Sequence, residues 1–310
     1  HTRSFHVTGA DVCSSDLGLE CALALGKRGY RVILAEESEE LGGRVSRESK
    51  LPGLAEWGRV RDHRVVMLEK LKNVTLYLGS SLSTEDILEF SADDKFGFSH
   101  VFLATGATWR RDGIARENRE PIPGLEHVSV LTADDLMLGV SAHGKVVIFD
   151  DEHYYMGGVL AEKLRLDGHD VRLVTPAPDI STWTHNTMEQ GHIQKKLLEL
   201  GVELIPHHNL ASVHPGAVEL ACVFTDRRVR HACDTLVLVT ERLPNDDLYR
   251  AMRADPAGIA KSGLKTIQCI GDCLAPGIIA AAVHSGHLVA REFEADAPGE
   301  VPFLRERVML

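Results

Sequence analysis

A glycine at position 18 heads an apolar stretch, and Glu36 closes the next apolar run eighteen positions later. That pairing has a definite chemistry. A glycine turn after a first strand lets the backbone approach a pyrophosphate held on the positive end of the following helix. A carboxylate about 20 residues further on then accepts hydrogen bonds from ribose hydroxyls. The glycine spacing itself departs from the usual G-x-G-x-x-G. Gly9 and Gly18 stand nine positions apart, with Asp11, Val12, Cys13, Ser14, Ser15, Asp16 and Leu17 among the residues between. Side chains there crowd a pyrophosphate, and two aspartates set negative charge beside an anion. The run from Asp11 to Leu17 also resembles translated sequencing-adapter read-through, so residues 1–17 are expected to be non-native.

Other strand ends carry the same kind of signal. Leu41-Gly42-Gly43-Arg44 follows Glu36 and its neighbour Glu37, and its small residues let the chain pass close to a bound nucleotide. Ala104-Thr105-Gly106 and Ile270-Gly271-Asp272 each end an apolar strand. Ligands of doubly wound sheets lie beyond such carboxyl ends. A second strand–turn–helix unit starts at Lys145, but its turn reads Asp150-Asp151-Glu152-His153-Tyr154-Tyr155-Met156-Gly157-Gly158. Three carboxylates and two tyrosines stand where a second cofactor would need glycines, so charge and volume both oppose a dinucleotide there. Its next strand ends in Val174-Thr175-Pro176, with neither a ribose carboxylate nor an arginine for a 2′-phosphate.

The elements needed to hold these turns are legible. Strands are expected over residues 5–8, 31–35, 74–78 and 101–104 in the first part, and helices over 19–29 and about 278–294. The second part should contain strands over 146–149, 170–174 and 235–240 and a helix over 158–167; a strand over 267–270 precedes the last helix. Continuous apolar strands such as Val32-Ile33-Leu34-Ala35 suit parallel sheets covered on both faces. The fold class is therefore α/β, with two doubly wound, Rossmann-like domains, the second inserted in the first. Residues 1–107 and 262–310 form the first domain and 108–261 the second.

Composition narrows the function class. The chain has 310 residues and a net charge of −11, which repels polyanions and argues against nucleic acid or an acidic membrane as partner. No apolar run reaches the roughly 20 residues of a membrane helix. A cytoplasmic protein is expected. The six cysteines include no Cys-x-x-Cys pair, so reduced, mostly buried thiols are expected. Scattered histidines (His153, His185, His192, His207, His208) lack metal-ligand spacing, and Trp57, Trp109 and Trp183 read as packing anchors. Arg59, Arg61 and Arg64 form either a solvated basic face or a docking patch for an acidic redox partner.

The order Gly18-Leu19-Glu20-Cys21-Ala22, Leu41-Gly42-Gly43-Arg44, Leu51-Pro52-Gly53-Leu54-Ala55-Glu56-Trp57, Ala104-Thr105-Gly106-Ala107-Thr108-Trp109 and Gly271-Asp272 resembles the C-terminal half of the trimethylamine and dimethylamine dehydrogenase family. Leu160-Ala161-Glu162-Lys163-Leu164 and Gly286-His287-Leu288-Val289-Ala290-Arg291 extend the likeness over about residues 18–310. The resemblance implies an N-terminal barrel carrying FMN and a 4Fe–4S cluster, absent from this sequence, followed by two Rossmann-like domains. It implies oxidative demethylation of a small amine, with electrons passed to an electron-transferring flavoprotein. In the amine dehydrogenases the first domain holds ADP; in the related 2,4-dienoyl-CoA reductases it holds FAD, and the second domain binds NADPH. The resemblance makes Gly9, Gly18, Leu19, Glu36, Glu37, Gly43, Arg44, Leu82, Thr105, Gly106 and Asp272 the candidate ADP or FAD contacts, with no catalytic residue among them. Glu36 would hold the ribose, Gly18 and Leu19 the pyrophosphate, and Asp272 the far phosphate or ribityl end. Expected partners are the barrel, the flavoprotein and a second copy of the chain. An NAD(P)H-dependent flavin reductase and a non-catalytic scaffold are the alternatives.

Overall fold

The computed structural model describes residues 6–9, 16–92, 97–225 and 227–294. The chain runs β1 (His6–Gly9), α1 (Asp16–Lys27), β2 (Arg31–Ala35), α2 (Gly43–Glu48), α3 (Gly58–Glu69), β3 (Val74–Tyr77), α4 (Thr84–Ala92), β4 (His100–Leu103) and β5 (Ala107–Trp109). It continues through β6 (Ser129–Thr132), α5 (Ala133–Met137), β7 (Lys145–Asp150), α6 (Met156–Leu166), β8 (Asp170–Val174), α7 (Gln190–Glu199) and β9 (Glu203–Ile205). An antiparallel run follows in β10 (His208–His214), β11 (Ala217–Cys222) and β12 (Arg228–Ala232), then β13 (Thr235–Val239) and β14 (Arg242–Pro244). The last elements are α8 (Asp247–Ala254), α9 (Pro256–Ser262), β15 (Thr266–Cys269) and α10 (Ile279–Glu292).

Two compact units result. The first takes in the described residues of His1–Ser46, Trp57–Ala107 and Pro244–Leu310. Its five strands lie in the order β15-β4-β1-β2-β3, all parallel. The order reverses between β1 and β4, which places the ligand crevice of such a sheet beyond their carboxyl ends. Helix α1 is apolar along its buried side (Leu19, Ala22, Leu23, Leu25) and ends at Gly29. There φ is +88°, Tyr30 N–H donates to Leu25 O and Gly29 N–H donates to Gly26 O, closing the helix in a left-handed glycine cap. Phe293 locks α10 to the sheet through edge contacts with Tyr30, His100 and Phe102, and Arg28 donates to Ala290 O and Phe293 O.

The second unit comprises Arg47–Glu56 and Thr108–Leu243. Its parallel sheet has the order β6-β13-β7-β8-β9, with a separate antiparallel sheet β10-β11-β12. Strands β7 and β13 are wholly buried save Lys145, as the unbroken apolar runs predict.

The expected elements recur with shifted ends. The first helix starts at Asp16 rather than Leu19, and the second unit's helix at Met156 rather than Gly158. Of the expected strand over residues 5–8, residue 5 lies outside the described residues, as do the turn residues 10–15. The largest difference is where the chain re-enters the first unit: at Pro244, not at 262. The cause is the pair α8 and α9. Asp255 caps α9 by accepting from Gly258 N, Pro256 occupies its first turn and Gly263 stops it at φ +81°. Met252 and Ile259 then pack with Ile87, Leu88 and Leu264 in the first unit's second apolar cluster. No described helix is long and apolar enough to cross a membrane.

The tightest joint of the first unit is between α1 and α10. A Cβ built on Gly286 would lie 2.5 Å from the backbone oxygen of Leu17, itself fully buried. Gly286→Ala should therefore destabilise this unit by about 1–3 kcal/mol, the usual cost of overpacking. Gly191 in α7 has open space around it, so Gly191→Ala should be neutral or slightly stabilising. Calorimetric melting of the two variants checks this; equal midpoints would remove the packing argument.

Candidate functional site

Four strand ends, two helix starts and one loop of the first unit carry the expected nucleotide contacts. At the end of β2, Glu36 is 1% exposed, and its Oε1 accepts a hydrogen bond from Ser38 N at 2.8 Å. Its backbone ties down the neighbouring loop: Glu36 N donates to Tyr77 O and Ser80 N donates to Glu36 O, both at 2.8 Å. Nearby, Ala35, Tyr77, Ser80, Leu82, Phe90 and Phe98 line a largely apolar cavity of about 330 Å³. That volume falls in the range of small-molecule clefts. Leu82 is thus on a cavity wall, whereas Glu37 is simply exposed. Tyr77, Phe90 and Phe98 went unnoticed in the sequence because alternating or isolated aromatics read as ordinary core.

The remaining predicted contacts divide between ligand-facing and purely structural. Gly18 lies in the first turn of α1, where a Cβ would stand 3.4 Å from Ala104 Cβ. Its smallness serves helix–strand packing, the usual duty of the last fingerprint glycine. Leu19 is fully buried in the core, so only its backbone could meet a phosphate. Gly9 is in register with Leu34 at the end of β1. Gly42 and Gly43 both have positive φ, and a Cβ on Gly42 would strike Arg61 Cδ and Ser46 Oγ at 2.6 Å. The glycines therefore answer to a turn and to Arg61, and close passage of a nucleotide is not needed to explain them.

Arg44 and Asp272, 228 residues apart, meet in an ion pair at 3.0 Å with side chains 15% and 7% exposed. Arg44 also donates to Gly277 O at 2.8 Å, and Asp272 Oδ1 accepts from Gly277 N at 2.9 Å. Asp272 thus closes a loop as well as facing the crevice. Thr105 Oγ1 donates to Asn245 O, Asn245 N donates to Gly106 O at 3.0 Å, and Gly106 has φ +76°. The expected docking arginines are committed elsewhere. Arg61 pairs with Glu40 and Asp62, and Arg64 pairs with Glu20 at 2.7 Å and donates to Val60 O. That leaves no free basic patch at these two positions.

In the second unit the corresponding turn is filled by the protein's own groups. Asp150 and Asp151 are fully buried at the end of β7. Asp150 Oδ1 accepts from Glu152 N and His153 N at 3.1 and 2.9 Å. Its Oδ2 lies 2.4 Å from where a Cβ on Gly157 would be, so the carboxylate rests against the first turn of α6. Asp151 accepts from Glu117 N at 2.9 Å and lies 3.1 Å from His153 Nε2. Tyr155 is buried and donates to the buried Glu48 at 2.5 Å. At the end of β8, Thr175 is 1% exposed and bonded to Ile205 and His208 backbone groups. Both strand ends are thus filled by the protein's own groups.

Burial raises the Asp150 carboxyl to about 7, with Glu152 adding like-charge repulsion. His153 is also held above its usual value: burial opposes its charge, but the hydrogen bond to Asp151 and the charges of Asp150 and Asp151 outweigh it. Among the described residues no group of three or more His, Cys, Asp or Glu is placed to hold a metal ion.

A carboxyl whose folded pKa is raised binds its proton more tightly in the folded state, so its contribution to stability is present below pH 4 and lost as pH rises to about 7. Asp150→Asn keeps an oxygen for the two backbone donors and removes this loss. The variant should gain stability over wild type at pH 8, on the order of a few kcal/mol, with the gain fading toward pH 4. Denaturant unfolding at the two pH values checks it; parallel pH profiles would refute the raised carboxyl.

Comparison with known proteins agrees with this geometry. A family model described as the OYE-like second alpha/beta domain matches residues 131–240. Dimethylamine dehydrogenase from Hyphomicrobium sp. (strain x) is 35% identical over 94% of this chain and 42% of its own length. The structure of histamine dehydrogenase from Rhizobium sp. 4-9 superposes with a TM-score of 0.91 at 41% identity, covering 100% of this chain and 47% of that one. The 6-hydroxypseudooxynicotine amine oxidase of Pseudomonas geniculata N1 follows with a TM-score of 0.88 at 38% identity, covering 95% and 42%. The chain therefore spans less than half the length of these relatives. It belongs to the family of flavin-dependent amine dehydrogenases, within the flavoprotein oxidoreductases.

Proposed function

We propose that this chain is the C-terminal, nucleotide-binding part of an amine dehydrogenase, and that its first unit holds the ADP moiety of ADP or FAD. The two units are read as Rossmann-like domains, the second inserted in the first in the manner of disulfide reductases. What carries the reading is the contrast between two equivalent strand ends. The β2 residues Ile33 and Ala35 help line a largely apolar cavity of about 330 Å³ that also takes in Asp86, and the buried carboxylate Glu36 follows them in the chain. Beyond β7 the equivalent space is taken by Asp150 and Tyr155. An adenine fits the apolar wall, and a ribose diol suits the Glu36 carboxylate, which follows β2 and accepts a hydrogen bond from Ser38 N. The adenosine half of the nucleotide is thus matched by the residues present.

In the whole protein, FMN and a 4Fe–4S cluster in an N-terminal barrel would supply the oxidation of a small amine and the onward passage of electrons. This chain's residues would bind and orient a nucleotide and exclude water from it. Glu36 holds the ribose, Leu82 and Tyr77 border the base, and the α1 backbone at Gly18 and Leu19 faces the phosphates. The barrel, an electron-transferring flavoprotein and a second copy of the chain are the proposed partners. A reductase of the 2,4-dienoyl-CoA type would need a pyrophosphate against Gly157, where the Asp150 carboxylate rests.

Titration of the purified chain by calorimetry separates the readings. ADP or FAD should bind, NADPH should not, and Glu36→Gln should weaken ADP by about tenfold or more, the loss of a charge-assisted hydrogen bond of roughly 1.5–3 kcal/mol. Tight NADPH binding would move the chain to the reductases, and failure of every nucleotide to bind would make it a scaffold.

A further inference from the structure

The first unit contains a cysteine pair that nucleotide binding does not use. Cys269 ends β15 and Cys273 closes the short turn Gly271–Cys273 after it. Their sulfurs lie 3.2 Å apart, and both side chains are buried, 5% and 2% exposed. The pair is embedded among Val101, Leu103, Met252 and Leu264, so each sulfur has few polar neighbours besides the other. The exceptions stand on the Cys273 side. Thr105 Oγ1 is 2.9 Å from its sulfur, and Asn245 O is 3.4 Å away. The contact with Cys269 holds the Cys273 thiol down to about 7 against the opposing effect of burial, while Cys269 is pushed up. One sulfur is thus a nucleophile near neutral pH, and the other is a protonated partner in contact with it.

A disulfide needs its sulfurs at about 2.05 Å. From 3.2 Å, side-chain rotation of roughly half an ångström on each side closes the gap. The two residues are four apart across a turn, and Gly271 between them already has φ +59°.

We propose that Cys269 and Cys273 are a peroxide-oxidisable dithiol that closes to an intramolecular disulfide across the Ile270-Gly271-Asp272 turn. The Cys273 thiolate attacks one oxygen of hydrogen peroxide, the O–O bond breaks, and the departing hydroxide takes up a proton to leave as water. Cys273 is then a sulfenic acid. The Cys269 sulfur attacks it, the S–S bond forms as the S–O bond breaks, and the Cys269 proton leaves with the hydroxyl as a second water. Two thiols are oxidised by two electrons, and one peroxide is reduced to two waters. Hydrogen peroxide is small enough to reach a buried pair that bulky disulfide reagents do not.

Peptide mass mapping tests this in the full chain. Trypsin releases residues 266–291, a peptide that holds Cys269 and Cys273 and no other cysteine. After brief peroxide treatment, unfolding and alkylation, that peptide should be two hydrogens lighter and carry no alkyl group. Its conversion should outpace oxidation at Cys21 and Cys233, both pushed up to about 12 by burial, by at least about tenfold. Cys269→Ser should leave Cys273 as a sulfenic acid trapped by dimedone, and the wild-type mapping stands even where that variant folds poorly. A peptide that stays doubly alkylated while Cys222 oxidises would overturn the proposal, as would oxidation of Cys273 to the sulfinic acid with Cys269 still free.

Discussion

A helix that follows the first strand of a doubly wound sheet points unsatisfied N–H groups and a partial positive charge at the strand's carboxyl end. Something must answer that field. In the second unit the protein answers it internally, with the Asp150 carboxyl resting against the first turn of α6 and accepting from Glu152 N and His153 N. Everything else at that turn follows. Gly157 must lack a Cβ to admit the carboxyl, Tyr155 fills the outer space and is held by Glu48, and His153 takes a left-handed backbone to bring its ring to Asp151. In a unit built this way Asp150 occupies the space at the helix start, and displacing it would strip a buried carboxyl group of its contacts.

The first unit meets the same requirement differently. Its α1 carries Leu17 and Leu19 fully buried in the opening turn, with Gly271 and Gly286 both packed on Leu17. The helix is therefore fixed in place by apolar contacts. The carboxylates near this crevice are arranged differently. Asp272 is neutralised by Arg44 and bound to Gly277 N, so it adds little repulsion to an incoming anion. Glu36 directly follows β2, one strand over from the start of α1.

The sheets were legible in the sequence because parallel strands covered on both faces are continuous apolar runs, and Arg31–Ala35 and Asp170–Val174 match their expected bounds. The first unit's second apolar cluster was not legible. Its helices α8 and α9 are short, α8 is rich in charge, and their apolar residues pack with those of α4, which is distant in the chain. The Asp255-Pro256 start and Gly263 stop of α9 were available as a local signal, and would have moved the boundary from 262 toward 244. The pairing of Arg44 with Asp272 could not be read at all, since nothing local links residues 228 positions apart. At the turn of the second unit the run of carboxylates was legible from the sequence, and the structure buries Asp150 and Asp151 there.

Glycine is the residue on which such sequences are usually interpreted, and here it is the least discriminating. Gly18 admits Ala104, Gly42 admits Arg61 and Ser46, Gly157 admits Asp150, and Gly158 admits Ile193 and Ser181. Each smallness has a neighbour within the protein that accounts for it. A missing Cβ signals close approach, and the approaching group is more often the chain's own side chain than a ligand. The polar groups distinguish the two units better. In the second unit a carboxylate rests against the helix start, whereas in the first Glu36 stands one strand over, after β2. Carboxylate position relative to the helix start therefore separates the two units where glycine patterns alone do not.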